Sequence, residues 1–290
     1  MGLKDTPFQV FTIASHPQIA DASVMAGEIS QFLINKGKEV FSGLLYEDVL
    51  REKIEQRQTD ILIALGGDGT MLRAGHLCGP YDIPIVGINL GKFGFLTEIK
   101  TNQWEKTLPK LFKDEFWIEQ RMMLNAQLFR DEKVIGEWNV LNEVVISRGE
   151  IVRPIHVEAF VDGRHLTTYV ADGLIAATPT GSTAYALAVG GPILPPELSN
   201  ILLVPVAPYL SIDRAIVLAE GSKVKIKVIT EHNAVISIDG HNPIKLISDD
   251  YVQVQTSKFC VRFVRFQDPG YFYRNLTPHM NRNPALGIST

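Results

Sequence analysis

One aspartate set among three glycines closes an apolar run: Ile61-Leu62-Ile63-Ala64-Leu65-Gly66-Gly67-Asp68-Gly69-Thr70. A continuous apolar stretch that ends in glycine predicts a buried parallel strand. Asp68 would then stand just past the strand's carboxyl end, where open α/β sheets bind their ligands. Glycines without a Cβ let a backbone approach phosphate closely and offer it N–H groups, and Thr70 can cap a helix starting there. The residues alone also fit a plain strand-turn-helix corner with Asp68 serving an Asx turn.

A second segment carries the same texture, from Asp172-Gly173 through Leu174-Ile175-Ala176-Ala177 into Thr178-Pro179-Thr180-Gly181-Ser182-Thr183-Ala184-Tyr185-Ala186-Leu187-Ala188. The hydroxyls of Thr178, Thr180, Ser182 and Thr183 can donate to phosphate or ribose oxygens, and Ser182 or Thr183 can start a following helix. Gly181 marks either close approach of a ligand or an unusual backbone angle. Tyr185 suits either packing on a base or a place in the core.

Four separated motifs, in order, resemble those of the NAD kinases, which phosphorylate the 2′-hydroxyl of the adenosine ribose of NAD to give NADP. They are Gly66 to Thr70, Asn89-Leu90-Gly91-Lys92-Phe93-Gly94-Phe95-Leu96, Asn142-Glu143-Val144-Val145, and the Thr178 to Tyr185 loop led by Asp172-Gly173. The likeness runs from about residue 8 to 275. The first motif is shared with diacylglycerol and sphingosine kinases and, more loosely, with phosphofructokinases, whereas the fourth is far more specific. The resemblance implies an α/β Rossmann-like N-terminal domain, a mainly β C-terminal domain and an active site in the interdomain cleft. It also implies a homodimer or homotetramer. NAD is then the substrate, ATP or another phosphoryl donor the partner, and Mg²⁺ or another divalent cation arrives with the nucleotide and keeps most of its waters.

Asp68 is the expected proton acceptor for the attacking hydroxyl, because positioning outweighs basicity in a loose phosphoryl-transfer transition state. The amides of Gly66, Gly67 and Gly69, with Thr70, would hold the donor phosphates. Arg73, five residues beyond Asp68, suits either nucleotide contact or a solvated helix face. Asn142 can donate and accept on an adenine edge, and Glu143 can accept from two ribose hydroxyls. By resemblance, Ser182, Thr183, Ala184, Tyr185, Ala186, Leu187 and Ala188 line the adenosine and nicotinamide pockets. By the same resemblance the loop holding Phe93 and Phe95 packs beside NAD, whereas the residues alone read as domain-interface core, and Asp172 meets the nicotinamide riboside, of its own or a neighbouring subunit. Two positions depart from the family pattern or match it weakly. His241 stands where many relatives carry glutamine, and Val170 where some bacterial members carry arginine. Arg153 occupies a position that relatives often give to a basic or polar ligand, and a surface arginine is the competing reading.

The elements that must position these groups fall into two textures. Strands are predicted over Phe8 to Ile13, Glu39 to Gly43, Asp60 to Leu65 and Ile85 to Asn89, with a helix over Ala20 to Lys36 ended by Gly37. Such alternation predicts a parallel sheet with crossover helices. A helix from Thr101, with Trp104, Leu108, Leu111 and Phe112 on one stripe, closes this part. Beyond about residue 115 the period becomes two. Leu124, Ala126 and Leu128 alternate with polar residues, His156 to Val161 runs into Asp162-Gly163 as a hairpin, and Asp239-Gly240 offers another tight turn. The expected division is 1–115, 116–267 and a 268–290 segment that, by resemblance, returns to the first domain.

At 290 residues the chain can fill two cores. A net charge of −4 without a basic cluster argues against nucleic acid as a partner. No apolar run approaches the roughly 18 residues of a membrane span, and no signal peptide precedes Phe8. The two cysteines, Cys78 and Cys260, lie far apart and suit packing in a reducing cytoplasm. The seven histidines are scattered, so no metal-ligand set is visible. Two rival functions share parts of this pattern. A diacylglycerol-type lipid kinase would keep Gly66 to Thr70 but lack Asn142-Glu143 and the second loop, and a non-catalytic NAD-sensing module would have little use for Asp68.

Overall fold

The structure, a computed structural model, describes residues 8–91 and 94–280. It divides into two compact units, one holding the chain up to Gln120 together with the part from Val261 onward, the other Arg121–Cys260. Each seam falls inside a long strand, Trp117–Arg130 or Tyr251–Arg265, whereas the sequence reading cuts at 115/116 and 267/268. A period-two pattern marks where a strand starts or stops. It does not say on which core each stretch of that strand packs.

In the first unit, strands β1 (Val10–Ser15), β2 (Glu39–Leu44), β3 (Ile61–Gly66) and β4 (Ile85–Asn89) form a parallel sheet in the order β2-β1-β3-β4. The crossovers are helices α1 (Ala20–Ile34), α2 (Asp48–Glu55) and α3 (Asp68–Cys78). β3 is buried at every residue, as its unbroken apolar run requires of a central parallel strand. The order reverses between β1 and β3, so a crevice opens beyond their carboxyl ends, and the glycine motif leaves β3 at that point. β1 begins two residues later than its expected start at Phe8, whose ring packs on Phe11 and Phe116 instead. The expected single helix from Thr101 is broken into a 3₁₀ turn, a short α-turn over Trp104–Thr107 and a second 3₁₀ stretch over Leu108–Lys113. Pro109 has no N–H to continue an α-helical ladder. Trp104, Leu108 and Leu111 still reach the core.

The second unit is two antiparallel sheets. One runs Ile201–Val206, Gly173–Ala177, Glu143–Arg148 and Ala234–Ile238 side by side, with Ile216–Leu218 and Ile244–Leu246 at its edges. The other carries the hairpin Ile155–Val161 to Arg164–Ala171, then Val224–Val228 and the Tyr251–Arg265 strand. Asp162 and Gly163 both take positive φ, 51° and 76°, the geometry of the tight turn their sequence predicts. Alternating residues of both sheets, among them Leu124, Ala126, Leu128, Val144, Ile146, Val157, Leu174 and Ile236, form one apolar core.

Candidate active site

Asp68 is the first residue of α3, and Gly67 is its N-cap without any side-chain cap. Thr70 therefore does not cap this helix. It is buried in the first turn, where a Cβ on Gly66 would come within 2.1 Å of its Oγ1. Gly66 is thus required by the tight strand-to-helix packing. Gly67 and Gly69 are different, since among the described residues a Cβ on either would meet nothing within 4 Å. Their backbone borders open space at a helix N-terminus, whose first N–H groups have no intrahelical acceptor. The Asp68 carboxylate is held by the loop after β4: Phe95 N–H donates to Oδ2 at 2.7 Å and Leu96 N–H to Oδ1 at 3.0 Å. A Cβ on Gly94 would lie 2.0 Å from Oδ1, so only glycine leaves room for the carboxylate there. Arg73 is exposed, and its guanidinium lies 5.1 Å from the centre of the Tyr46 ring. Phe93 lies outside the described residues.

Behind this loop lies a buried ionic cluster that sequence reasoning missed. Arg265 is 1% exposed, and its guanidinium bonds Glu119 through Nε at 2.9 Å and the Leu96 carbonyl through Nη1 at 2.9 Å. Nη1 also faces Glu98 at 3.4 Å. The Tyr271 hydroxyl donates to Glu119 Oε1 at 2.7 Å, which ties in the helix Tyr271–Met280. Burial works against the Arg265 charge, but Glu119, Tyr271 and Glu98 outweigh it and hold the group firmly protonated. Partners so distant in sequence leave no local pattern to read.

In the second unit Asn142 and Glu143 open a central strand, and the Asp239 carboxylate organises them. It accepts the N–H of Leu141 at 2.7 Å and those of Asn142 and Glu143 at 2.8 Å each. The sequence marks Asp239 only as a turn residue, and it does take φ 46° before Gly240 at 72°. Glu143 is buried, its Oε2 has no hydrogen-bond partner among the described residues, and the Tyr185 backbone bonds to the carboxylate. Burial, with Asp239 adding repulsion, weakens it as an acid and pushes its pKa up to about 8.

The hydroxyl-rich loop behaves differently from expectation. Thr178 donates to the Leu141 carbonyl and accepts the Gly181 N–H; Ser182 donates to Pro179 O at 2.6 Å and accepts the Leu194 N–H at 2.9 Å. Thr183 donates to Thr180 O at 3.1 Å, and Thr180 Oγ1 accepts from Arg121 at 3.1 Å. All four hydroxyls are engaged within the protein, which builds a rigid loop. Nor do Ser182 and Thr183 start a long helix. They lie in a 3₁₀ turn over Gly181–Thr183, and Ala184 (φ −102°, ψ −127°) separates it from a four-residue turn holding Tyr185, Ala186, Leu187 and Ala188. Gly181 has no positive φ; a Cβ there would strike the Asn142 carbonyl oxygen at 2.2 Å. The close approach is by the Asn142 backbone, so Gly181 and Asn142 are brought into one construction. Tyr185 is 43% exposed and is not a core residue.

His241 follows the Asp239 turn and bonds the Ile238 carbonyl through Nδ1 at 2.8 Å. Arg153 is exposed. Asp172 pairs with Arg148, Nε to Oδ1 at 3.3 Å. Among the described residues no three His, Cys, Asp or Glu side chains converge on a metal site. No helix of the described residues is long and apolar enough to cross a membrane.

A switch-point glycine loop bearing one anchored aspartate, with a second, β unit carrying a half-buried Asn142 beside a buried Glu143, defines a two-domain kinase of the nucleotide-phosphorylating class. Family models agree: residues 6–116 match the ATP-NAD kinase N-terminal domain and 141–266 the ATP-NAD kinase C-terminal domain. The NAD kinase of Chloroflexus aggregans is 38% identical over 267 residues, covering 91% of this chain and 96% of that one. That of Heliobacterium modesticaldum is 40% identical over 224 residues, covering 77% and 78%. Among solved structures, the fold is similar to yeast NADH kinase complexed with NADH (TM-score 0.80, 23% identity, 99% and 91% covered). It is also similar to an NAD kinase from Archaeoglobus fulgidus in complex with ATP (TM-score 0.75, 24% identity, 96% and 100% covered). The chain belongs to the NAD kinase family, and its reaction is the phosphorylation of NAD to NADP. The lipid-kinase and non-catalytic readings are set aside by the match of both domains.

Proposed function

We propose that Asp68 is the proton acceptor of this reaction, with ATP as the phosphoryl donor. The 2′-hydroxyl oxygen of the adenosine ribose attacks the γ-phosphorus, the bond from that phosphorus to the ADP oxygen breaks, and the hydroxyl proton passes to Asp68. The observation carrying this reading is the fixed carboxylate. Each of its oxygens takes one backbone N–H and keeps a further lone pair, so the group is oriented without being used up. The Gly67 and Gly69 backbone, open on one side at the start of α3, suits the donor phosphates, with Gly66 shaping the turn. Arg73 would reach the nucleotide by leaving Tyr46.

For NAD, the buried and unpartnered Oε2 of Glu143 suits a ribose hydroxyl, and Asn142 an adenine edge. Tyr185 is exposed enough to lie on a base, followed by Ala186, Leu187 and Ala188. Thr183, Ala184, His241, Arg153 and Asp172 complete the assignment. A divalent cation fits best as a passenger of the triphosphate, because among the described residues no three His, Cys, Asp or Glu side chains converge on a metal site. When bound, it would neutralise charge on the phosphates. A homodimer or homotetramer fits the family resemblance at Asp172. The cytoplasm fits two free thiols, Cys78 and Cys260.

Asp68→Asn keeps size and removes the acceptor. A coupled NADP-formation assay with ATP, other triphosphates and polyphosphate should show kcat down by about 10²-fold or more, with NAD binding retained. Turnover within a few-fold of the parent would reject Asp68 as the base.

A further inference from the structure

We propose that Arg265 is a positioning residue for phosphoryl transfer, holding the Asp68 carboxylate in place through the backbone of Leu96. The inference rests on Asp68 being the proton acceptor.

One peptide segment carries the link. The Leu96 N–H donates to Asp68 Oδ1 at 3.0 Å, and the Leu96 carbonyl accepts from Arg265 Nη1 at 2.9 Å. The guanidinium thus fixes the far side of the residue that fixes the carboxylate. Its own position is over-determined. Glu119 takes its Nε at 2.9 Å and stands 2.8 Å from Nη2, and the cation lies 4.9 Å from the Tyr271 ring centre and 5.2 Å from that of Phe263. Glu98, facing Nη1, spends its other oxygen on the N–H groups of Phe266 and Gln267, at 2.9 and 3.0 Å. The loop after β4, the end of the last long strand and the C-terminal helix therefore meet at one buried charge, next to the loop that orients Asp68. A neutral core residue would fill the volume but could not reach outward to a loop carbonyl. Lysine could not do both jobs, because one ammonium cannot fork across Glu119 and still reach Leu96 O.

A small misplacement of a reacting group costs rate without costing ground-state binding. Arg265→Lys should accordingly lower kcat about tenfold while leaving KM for NAD and for ATP within about twofold. The discriminating measurement is a double-mutant cycle with Asp68→Asn, assayed at raised enzyme concentration. If Arg265 acts through Asp68, the lysine substitution should cost almost nothing further in a chain that already carries Asp68→Asn. Equal fold losses in both backgrounds, or an unchanged kcat in Arg265→Lys alone, would overturn the proposal. Amide exchange gives a readout independent of turnover: the peptide holding Phe95 and Leu96 should exchange faster in Arg265→Lys while the rest of the first unit does not, and unchanged exchange there also overturns it. Should Arg265→Lys fail to fold, Tyr271→Phe, which removes only the hydroxyl on Glu119, enters the same cycle. Its expected loss is about threefold, again absent beside Asp68→Asn, and no loss or an equal loss counts against the proposal. Near-parental turnover of Asp68→Asn would instead show the base assignment to be wrong, and the proposal with it.

Discussion

Asp239 Oδ1 lies 2.8 Å from the amide nitrogens of both Asn142 and Glu143, so one carboxylate in a hairpin turn sets the backbone of a strand start far away in sequence. Its second oxygen takes the Leu141 N–H. An asparagine side chain at this position has only one acceptor oxygen for three donors and places an amide against one of them. Asp239→Asn should therefore lower stability by about 1–3 kcal/mol and weaken NAD binding. Thermal denaturation and calorimetry check it, and parental NAD affinity would show that Asn142 and Glu143 hold their places without this clamp.

Gly181→Ala tests the same construction from the opposite side. The added carbon falls 2.2 Å from the Asn142 carbonyl oxygen, a backbone atom that cannot swing aside. The Asn142 segment must shift, so NAD affinity should drop about tenfold or more with the fold retained. Unchanged affinity by calorimetry, with an intact circular dichroism spectrum, would remove Asn142 from the binding surface.

These two cases show what a sequence discloses. The glycine-aspartate loop, the parallel strands and the hairpin turns are legible because their signals are local: an apolar run, a missing Cβ, a turn dipeptide. Gly181 is legible as special, yet its reason is not, since the atom it must avoid belongs to Asn142. The hydroxyls from Thr178 to Thr183 mislead for the same cause, because a hydroxyl satisfied inside the protein and one offered to a ligand look alike in a string of letters. Arg265, Glu98 and Glu119 leave no trace at all; three charged residues at such separations read as surface.

Glu143 makes stability depend on pH. Its folded form keeps a proton up to about pH 8, against an ordinary value of 4.5. Between those values the folded chain holds a proton that the unfolded chain has released. The contribution is complete below the ordinary value and fades as pH rises through about 8. The melting temperature of the parent should accordingly fall by several degrees across that window relative to Glu143→Gln, which stays neutral throughout. Asp239→Asn should move the window to lower pH, because the repulsion from Asp239 is one of its causes. A difference between parent and Glu143→Gln that does not change with pH would refute the assignment.

The last prediction concerns the oxidation state of the dinucleotide. Oxidised nicotinamide is cationic and the reduced ring neutral, so discrimination needs a charge or strong dipole near that end of the ligand. Val170 and Ala171 provide neither, and Asp172 is the carboxylate proposed to meet that end. It does not stand alone: Arg148 Nε lies 3.3 Å from its Oδ1, and both side chains are about a third exposed. A solvated single charge is worth about 1 kcal/mol, less than about tenfold in affinity, and a paired one less still. The parent should therefore use NAD and NADH with kcat/KM values within about threefold of each other. Arg148→Met unmasks Asp172 and should raise the NAD over NADH ratio several-fold. Asp172→Asn leaves Arg148 uncompensated and should push the ratio below the parental value, even where overall activity falls because a ribose contact is lost. The measurement is that ratio in the parent and both variants. A parental ratio above about a thousand would exceed anything this ion pair can supply and would mean that a different contact reads the ring.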